Sequence, residues 1–587
     1  MKNLSLQIDT INGTGSLSAN QILTKILFRV GWPVGSYNFF PSNIAGLACS
    51  YNLRLNSEAH TAYEPRVDLL ISLDPQSLVK SLKNLKPNGM LITDEKHTDE
   101  KHKEKISFQG CHYKLPMSQS LLEFKEASPK IKILLKNILY IGLITKWLDI
   151  KEDLCQKVFE DYFKNSKISP KLLDWNLKAF LKGRELAEKH PLAPQLKTKL
   201  MPQALVKDSI LIDGNTAIAL GALFSGCQFL SWYPITPASS LADTFEKFAN
   251  QYQKDQEGSK KFLVLQSEDE ISALTQVIGA GWTGLRAMTV TSGPGLSLMN
   301  EAAGLAYFSE IPAVLCNVQR AGPSTGLPTR TQQGDLLSSC FLSHGDTSPI
   351  VLIPGNPEEC FSLSQQAFDL AEELQTLIVL LSDLDLGMNL QISPTFKDVK
   401  AHLKRGKVLK ESDLLKKDFA RYKDEDQDGV SYRTLPGTPH PEAAYLTRGS
   451  GHNEKAEYSE SPEDYSSKLK KLKRKWETAQ TMMPEPIIDD SKKTSVAFVT
   501  FGNNEKAIQE VRSEWEQDGK LTNYMRVRSY PFPKSVKTFL KKHSTVFVVE
   551  QNQGAQLKTL LSKEFPFEAS KLKSILQYDG RPLYPET

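Results

Sequence analysis

Apolar positions in this chain fall into short runs and amphipathic stretches that alternate along most of its length. Up to about residue 195, Leu4–Asp9 reads as a strand, Asn12-Gly13-Thr14-Gly15 as a turn and Ser18–Phe28 as a helix. Val67–Leu73 is a short apolar run ending in Asp74-Pro75, and Met90–Thr93 is another, after the turn residues Pro87-Asn88-Gly89. Such alternation predicts a parallel α/β sheet, because parallel strands need a crossover that is usually a helix. His190–Asp208 is polar and contains proline, and reads as a linker. A second α/β block follows from about Ser209 to Met388, with strands expected at Phe262–Leu265, Ala287–Thr291, Ala313–Val318, Ile350–Ile353 and Leu377–Leu381. Its clearest helix is Ile271–Thr283, which opens on an acidic triplet where the helix dipole favours negative charge. From about Gln391 to Asp490 the pattern turns polar and irregular over a span too long for an ordinary loop, and predicts an arm that wraps other domains or a partner. A last α/β block starts at Ser495, with strands at Val496–Phe501 and Val546–Val549 and a helix over Gln509–Trp515. The pattern as a whole predicts an α/β chain of several parallel-sheet domains, divided as 1–195, 205–390, 391–490 (the arm) and 491–587, with no solenoid repeat.

A length of 587 residues fits three or four domains. With 40% hydrophobic and 24% charged residues the chain has the composition of a soluble globular protein, and a net charge of +4 gives no support for a nucleic-acid or membrane partner. The seven cysteines are scattered, with no C-x-x-C pair. That argues against a disulfide framework and against a zinc or iron–sulfur site held by this chain, and makes a reducing cytoplasm the natural setting. Met1–Ser5 opens into polar sequence, so no signal peptide is expected. The most apolar stretch, Ile131–Ile150, is interrupted by Lys132, Lys136 and Lys146. It falls short of the ~20 apolar residues of a membrane span and predicts a buried or amphipathic helix.

Three motifs carry little chemistry. Gly13-Thr14-Gly15 followed by Ser18 is a G-x-G-x-x-G with serine in place of its third glycine, read as a tight strand–helix turn ahead of a nucleotide site. Asp424, Asp426, Asp428 and Gly429 match the first half of a calcium loop, but Leu435 stands where the bidentate glutamate belongs, so a solvated acidic turn is expected. KLKKLKRKW at Lys468–Trp476, with Leu469 and Leu472 three apart, predicts a lysine-rich surface helix with a narrow apolar stripe in preference to an RNA-binding segment.

The second block is different in kind. Tyr233-Pro234-Ile235-Thr236-Pro237 leads from a strand-like run into a helix. The Thr236 hydroxyl there either caps the helix or donates to an anionic ligand. Gln266-Ser267-Glu268-Asp269-Glu270, Thr291-Ser292-Gly293-Pro294-Gly295 and Asn317-Val318-Gln319-Arg320 also follow strands. The acidic triplet alone reads more often as helix capping. Arg320 after a strand is well placed to bind a carboxylate through both arms of its guanidinium. Four such turns at strand C-termini would line one rim of a parallel sheet, where α/β proteins place their ligands.

At this point the sequence resembles the alpha subunits of 2-oxoacid:ferredoxin oxidoreductases. YPITP, SEDE, TSGPG and NVQRAGPSTGLPTRTQQGD are similar to their pyrimidine-binding domain, and the match continues through DGVSYRTLPGTP, GSGHNE and KLKKLKRKW. VTFGNNEKAI, YPFPK, VVEQNQGAQL and YDGRPLYP are similar to the family's transketolase-like C-terminal domain. NGTGS, FPSNIAGLACS and VDLLISLD are similar to the gamma domain that some members fuse in front. The resemblance implies an oxidoreductase of EC 1.2.7 type. It would convert a 2-oxoacid and coenzyme A to acyl-CoA, carbon dioxide and reduced ferredoxin. The fused form favours 2-oxoglutarate, with pyruvate and branched 2-oxoacids open. It further implies that Glu270, the acidic residue placed like the family's relative to TSGPG, contacts the aminopyrimidine of thiamine diphosphate. There it would hold the imino tautomer that takes the C2 proton. Thr236 and Arg320 would bind the substrate's carboxylate and keto oxygen, and Tyr233, Pro234, Ser292 and Gly293 would line the cofactor. Two positions depart from the family: the first loop has fewer glycines, and Asn453-Glu454 stand where acidic residues usually follow His452. The chain contains no G-D-G with paired asparagines to bind magnesium and diphosphate, and no clustered cysteines. The family's beta subunit supplies both, so Mg2+ and a [4Fe-4S] cluster are expected on that partner, in a dimer of alpha–beta heterodimers. Two rivals are a non-catalytic regulatory or scaffold subunit of the same fold, and a nucleotide-dependent dehydrogenase built on the first glycine turn.

Overall fold

A computed structural model of the chain describes residues 3–42, 46–97, 110–164, 168–197, 206–397, 403–416 and 418–586. Residues 43–45 of the Phe40–Ser50 motif, 198–205 of the expected linker, and 398–402 and 417 of the polar arm lie outside them. The chain divides into two units: residues 1–211 with 389–395 and 584–586, and the remainder.

Among the described residues the main sheet of the first unit has six strands: β1 (Asn3–Ile11), β2 (Val34–Phe39), β3 (Ala48–Asn56), β4 (Val67–Ser72), β5 (Leu85–Asp94) and β6 (Cys111–Leu115), in the order β2-β3-β1-β4-β5-β6. β1, β4, β5 and β6 run parallel, as the alternation predicts. β3, however, runs antiparallel to both β1 and β2, so the sheet is mixed. The signal for β3 is the period-two set Cys49, Tyr51, Leu53 and Leu55, all buried. The helix Ser16–Val30 starts at Gly15, whose φ of 74° suits glycine. A Cβ there would lie 2.4 Å from Leu134 Cδ2. The apolar stretch forms the helix Pro129–Trp147, buried along Leu135–Thr145. It packs on the helix Pro170–Lys189 at two glycines: a Cβ on Gly142 or Gly183 would meet a facing carbonyl at 2.0 or 1.9 Å. Among the described residues no helix is long and apolar enough to cross a membrane. A short strand, β7 (Ser209–Ile212), closes this part.

The second unit is built on β8 (Phe229–Trp232), β9 (Leu263–Gln266), β10 (Ala287–Thr291), β11 (Ala313–Gln319), β12 (Ile350–Leu352) and β13 (Leu377–Asp383). After them β14 (Gln391–Pro394) pairs with β7. The last block adds β15 (Ile487–Asp489), β16 (Val496–Phe501), β17 (Asn523–Val527), β18 (Ser529–Tyr530), β19 (Thr545–Glu550) and β20 (Leu572–Leu576). The central sheet has the order β18-β12-β13-β11-β10-β8-β9 and is parallel except at β18, which the last block lends to its edge. The second sheet has the order β15-β17-β16-β19-β20 and is parallel except at β15. One hydrophobic core serves both sheets, joining Val351, Val379 and Leu381 to Val499, Phe501, Met525 and Val548. A buried ion pair spans them as well: Arg526 donates to Glu359 at 2.6 and 3.0 Å.

Two expectations about the polar arm fail in one place. Its helix, Pro462–Met482, does not lie with its lysines in water. Lys468, Lys471 and Lys475 are buried on one face, and each binds the carboxylate of Glu310. Counter-charge, which the helix's own periodicity does not show, draws the lysines inward. The acidic turn is not solvated either. Asp424 is buried and accepts from Arg474 at 2.8 Å and from the Gly429 backbone at 2.9 Å. Gly429 is there because the turn abuts the helix: a Cβ on it would lie 2.1 Å from the Lys475 backbone nitrogen.

Candidate functional site

β9, β8, β10 and β11 are consecutive neighbours and mutually parallel, so their C-terminal ends share one edge of the central sheet. The four motif turns leave from that edge. β8 delivers Tyr233 and Pro234, both exposed, and then Thr236, half-buried. Asn215 holds this turn by donating to the Pro237 carbonyl at 3.0 Å and to Ser240 Oγ at 2.8 Å. β11 delivers Arg320, 8% exposed, whose Nη1 donates to the Thr236 carbonyl at 2.8 Å. The two residues expected to bind one substrate are therefore in direct contact.

The acidic triplet after β9 separates into three roles. Glu268 is exposed. Asp269 caps the helix Glu270–Trp282 by accepting from the Ser272 backbone at 2.7 Å. Glu270 is 6% exposed, and among the described residues no hydrogen bond ends on its carboxylate. It lies against the turn after β10. A Cβ on Gly295 would come within 2.8 Å of Glu270 Oε1 and 2.0 Å of Thr291 Oγ1, so that glycine gives the carboxylate its place. Ser292 is fully buried, and Gly293 faces Asp335.

Asp335 is the residue that motif reading misses. It belongs to the quoted TRTQQGD stretch, but a carboxylate in a long loop carries no periodic signal. Asn317 Nδ2 donates to it at 3.0 Å, and its own backbone nitrogen donates to Gln319 at 2.9 Å. Burial raises its carboxyl above the usual range, while Asn317 and the charge of Arg320 act the other way. Burial likewise lowers the Arg320 guanidinium, against the pull of Asp335 and Glu270. The loop is clamped from the last block. Gln333 and Gly334 meet Gln551, Asn552 and Gln556 through hydrogen bonds of 2.7–3.0 Å.

Several buried polar atoms on this rim make no hydrogen bond: Ser292 Oγ, Asn317 Oδ1 and Arg320 Nε. Buried polar groups are normally satisfied, so such a set marks a surface shaped for a polar ligand. Neutral donors and acceptors, a carboxylate and a guanidinium suit an aminopyrimidine and a small oxoacid. His452 is not part of this set; it lies beside Tyr422, their ring centroids 4.0 Å apart.

Comparison with known proteins bears on the same residues. Residues 220–421 match the family described as pyruvate flavodoxin/ferredoxin oxidoreductase, thiamine diP-binding, and residues 5–186 match pyruvate ferredoxin/flavodoxin oxidoreductase. The chain is 30% identical over 636 residues to a 2-oxoacid:ferredoxin oxidoreductase subunit alpha of Aeropyrum pernix, covering 100% of this chain and 96% of that one. It is 32% identical over 355 residues to the 2-oxoglutarate synthase subunit KorA of Methanothermobacter thermautotrophicus, covering 59% of this chain and 89% of that one. Among solved structures, the 2-oxoglutarate:ferredoxin oxidoreductase of Magnetococcus marinus, with 2-oxoglutarate, coenzyme A and succinyl-CoA bound, superposes with a TM-score of 0.86 at 28% identity. That match covers 100% of this chain and 98% of the other.

Proposed function

We propose, because this chain belongs to the family of 2-oxoacid:ferredoxin oxidoreductase alpha subunits, that the β8–β11 rim is its half of an active site for CoA-dependent oxidative decarboxylation of a 2-oxoacid. The observation that carries this reading is the convergence of Thr236, Glu270, Ser292 and Arg320 on one sheet edge, with unpartnered buried polar atoms between them.

Arg320 holds the substrate carboxylate. Its guanidinium is fixed by the Thr236 carbonyl and keeps Nε free to donate. A charge-assisted fork of this kind selects a planar carboxylate. The Thr236 hydroxyl is the short donor for the keto oxygen. Bound thiamine diphosphate supplies the nucleophilic carbon and the electron sink. Glu270 is the carboxylate that shares a proton with the pyrimidine nitrogen, and its lack of other partners leaves it free to do so. In this reading Ser292, Gly293, Tyr233 and Pro234 line the cofactor.

The diphosphate, its Mg2+ and the [4Fe-4S] cluster belong in this reading to a beta subunit. What supports this is the exposed edge of the central sheet. β9 is the terminal strand, and Leu263, Leu265 and Ile271 there are 54%, 38% and 47% exposed. An open edge with apolar side chains is a surface that a partner covers. The same reading places the enzyme in the cytoplasm as a dimer of alpha–beta heterodimers that passes electrons to ferredoxin, with 2-oxoglutarate favoured over pyruvate by the relatives above. Coexpression with the beta subunit tests it. The complex should reduce viologen only when a 2-oxoacid and coenzyme A are both present, fastest with 2-oxoglutarate. This chain alone should be colourless and inactive. No turnover from an intact, iron-loaded complex would favour a scaffold subunit.

A further inference from the structure

Arg320, the cation that would hold an anionic substrate, shares the rim with two carboxylates, Glu270 and Asp335. Burial lowers its guanidinium, and the charge of Asp335, followed by that of Glu270, acts the other way. Glu270 has a role in the reading above; Asp335 has none. A half-buried aspartate beside a buried arginine ordinarily closes an ion pair with it. Asp335 is half-buried and Arg320 is buried, yet among the described residues no hydrogen bond or ion pair joins the two. Asp335 Oδ2 accepts instead from Asn317 Nδ2 at 3.0 Å, and Arg320 Nη1 donates to the Thr236 carbonyl at 2.8 Å.

The loop that carries Asp335 holds it off the arginine. Its backbone nitrogen donates to Gln319 Oε1 at 2.9 Å, so the end of β11 grips it through Asn317 and Gln319 just before Arg320. On its N-terminal side the Gln333 nitrogen donates to the Gln551 carbonyl at 2.8 Å, and Gln556 Nε2 donates to the Gly334 carbonyl at 2.7 Å. On its C-terminal side the Leu337 nitrogen donates to Gln556 Oε1 at 3.0 Å. Gly293 closes the niche: a Cβ there would lie 3.0 and 3.2 Å from the two carboxylate oxygens. The carboxylate is thus fixed where its charge is felt at Arg320 and its oxygens do not reach it. Burial raises its carboxyl, but the Asn317 bond and the Arg320 charge favour the ionised form.

We propose that Asp335 is a positioning residue that acts through Arg320: it lies near enough to loosen the guanidinium's hold on the substrate carboxylate, and too far to take that carboxylate's place. The inference rests on the reading of the rim as half of a 2-oxoacid site. The chemistry needs such a balance. In decarboxylation the bond between the carboxylate and the keto carbon breaks. Its electron pair stays with the former keto carbon and is delocalised into bound thiamine diphosphate, and the carboxylate departs as neutral carbon dioxide. The negative charge that Arg320 binds in the substrate is therefore gone in the product. An interaction stronger with the bound substrate than with the transition state lowers KM and slows the step. A fixed negative charge beside Arg320 removes part of that ground-state grip. Glu270 does not serve this purpose, because its charge changes as it shares its proton.

The test uses the complex with the beta subunit, wild type against Asp335→Asn, whose side-chain oxygen can still accept from Asn317. KM for 2-oxoglutarate should fall about three- to tenfold, and kcat should fall by about as much. A mere prop for the loop would act the other way, raising KM when it is weakened. The second readout is binding without turnover. 2-Hydroxyglutarate, which has both carboxylates and no keto carbon to react, should bind the Asp335→Asn complex about three- to tenfold more tightly in calorimetry. That gain should disappear when Arg320→Met is added to both proteins. A KM that is unchanged or higher in Asp335→Asn overturns the inference, and so does a lower KM with kcat undiminished. A gain in 2-hydroxyglutarate binding that survives Arg320→Met overturns it equally, because Asp335 would then act on the ligand directly. Failure of the intact wild-type complex to turn over any 2-oxoacid is a different result: it defeats the reading of the rim, and this inference with it.

Discussion

Two glutamates of the second unit, Glu270 and Glu310, are both buried, and their surroundings are opposite. Glu310 is saturated by Lys468, Lys471 and Lys475. Burial alone would raise its carboxyl, but those lysines and Arg421 outweigh burial and hold it well below the usual range. Glu270 accepts no hydrogen bond among the described residues and sits in a niche that Gly295 leaves open. The first carboxylate is committed to joining the polar arm to the sheet. The second is kept available. Burial of a charge thus has two uses in one unit, and the number of partners separates them.

The largest expected effect comes from breaking the committed site. Glu310→Gln leaves three lysines and Arg421 without a counter-charge, and removing one partner of a buried ionic set costs about 3–5 kcal/mol. Thermal and denaturant unfolding of the purified chain should show that loss. A stability within about 0.5 kcal/mol of wild type would mean the lysines are already neutral. On the rim, Arg320→Ala should lower kcat/KM for the 2-oxoacid by about 2–3 kcal/mol through KM, with KM for coenzyme A nearly unchanged. Equal losses for both substrates would make Arg320 a structural prop for Thr236. The smallest effect is a slope. The pKa of Lys471 in the folded chain is depressed to about 8 from an ordinary 10.5, so the folded state binds fewer protons than the unfolded state between those values. Stability should therefore rise with pH across that window, by up to about 1.4 kcal/mol per unit, and fall as pH drops through 8. Lys471→Met should lessen the slope, which Lys468, Lys475 and Lys506, also lowered by burial, share. A slope that survives the substitution belongs to other groups.

The rim was legible in the sequence because its parts are local. Each of the four turns follows an apolar run, and strand C-termini of a parallel sheet must meet at one edge. Ala287–Thr291 and Val496–Phe501 have the bounds their apolar runs predict. What the sequence hid depends on partners far along the chain. Asp335 gains meaning only through Asn317, Gly293 and the clamp from Gln551–Gln556. The arm's lysines read as a surface because Glu310 lies more than 150 residues earlier, at 158 positions from Lys468. β3 was hidden for another reason: its alternation of Cys49, Tyr51, Leu53 and Leu55 is strand-like, but Asn52, Arg54 and Asn56 between them are buried too, so its polar positions resemble a loop.

On the proposed reading, Glu270 is left unpartnered so that it can share a proton with the cofactor. Glu270→Gln preserves shape at the start of the helix Glu270–Trp282 and should leave the complex with the beta subunit folded. An amide cannot take up and return the proton. The direct measurement is deuterium exchange at C2 of thiamine diphosphate in that complex, wild type against Glu270→Gln. Exchange should slow by about a hundred- to ten-thousand-fold. Exchange in the Gln variant as fast as in wild type would contradict it.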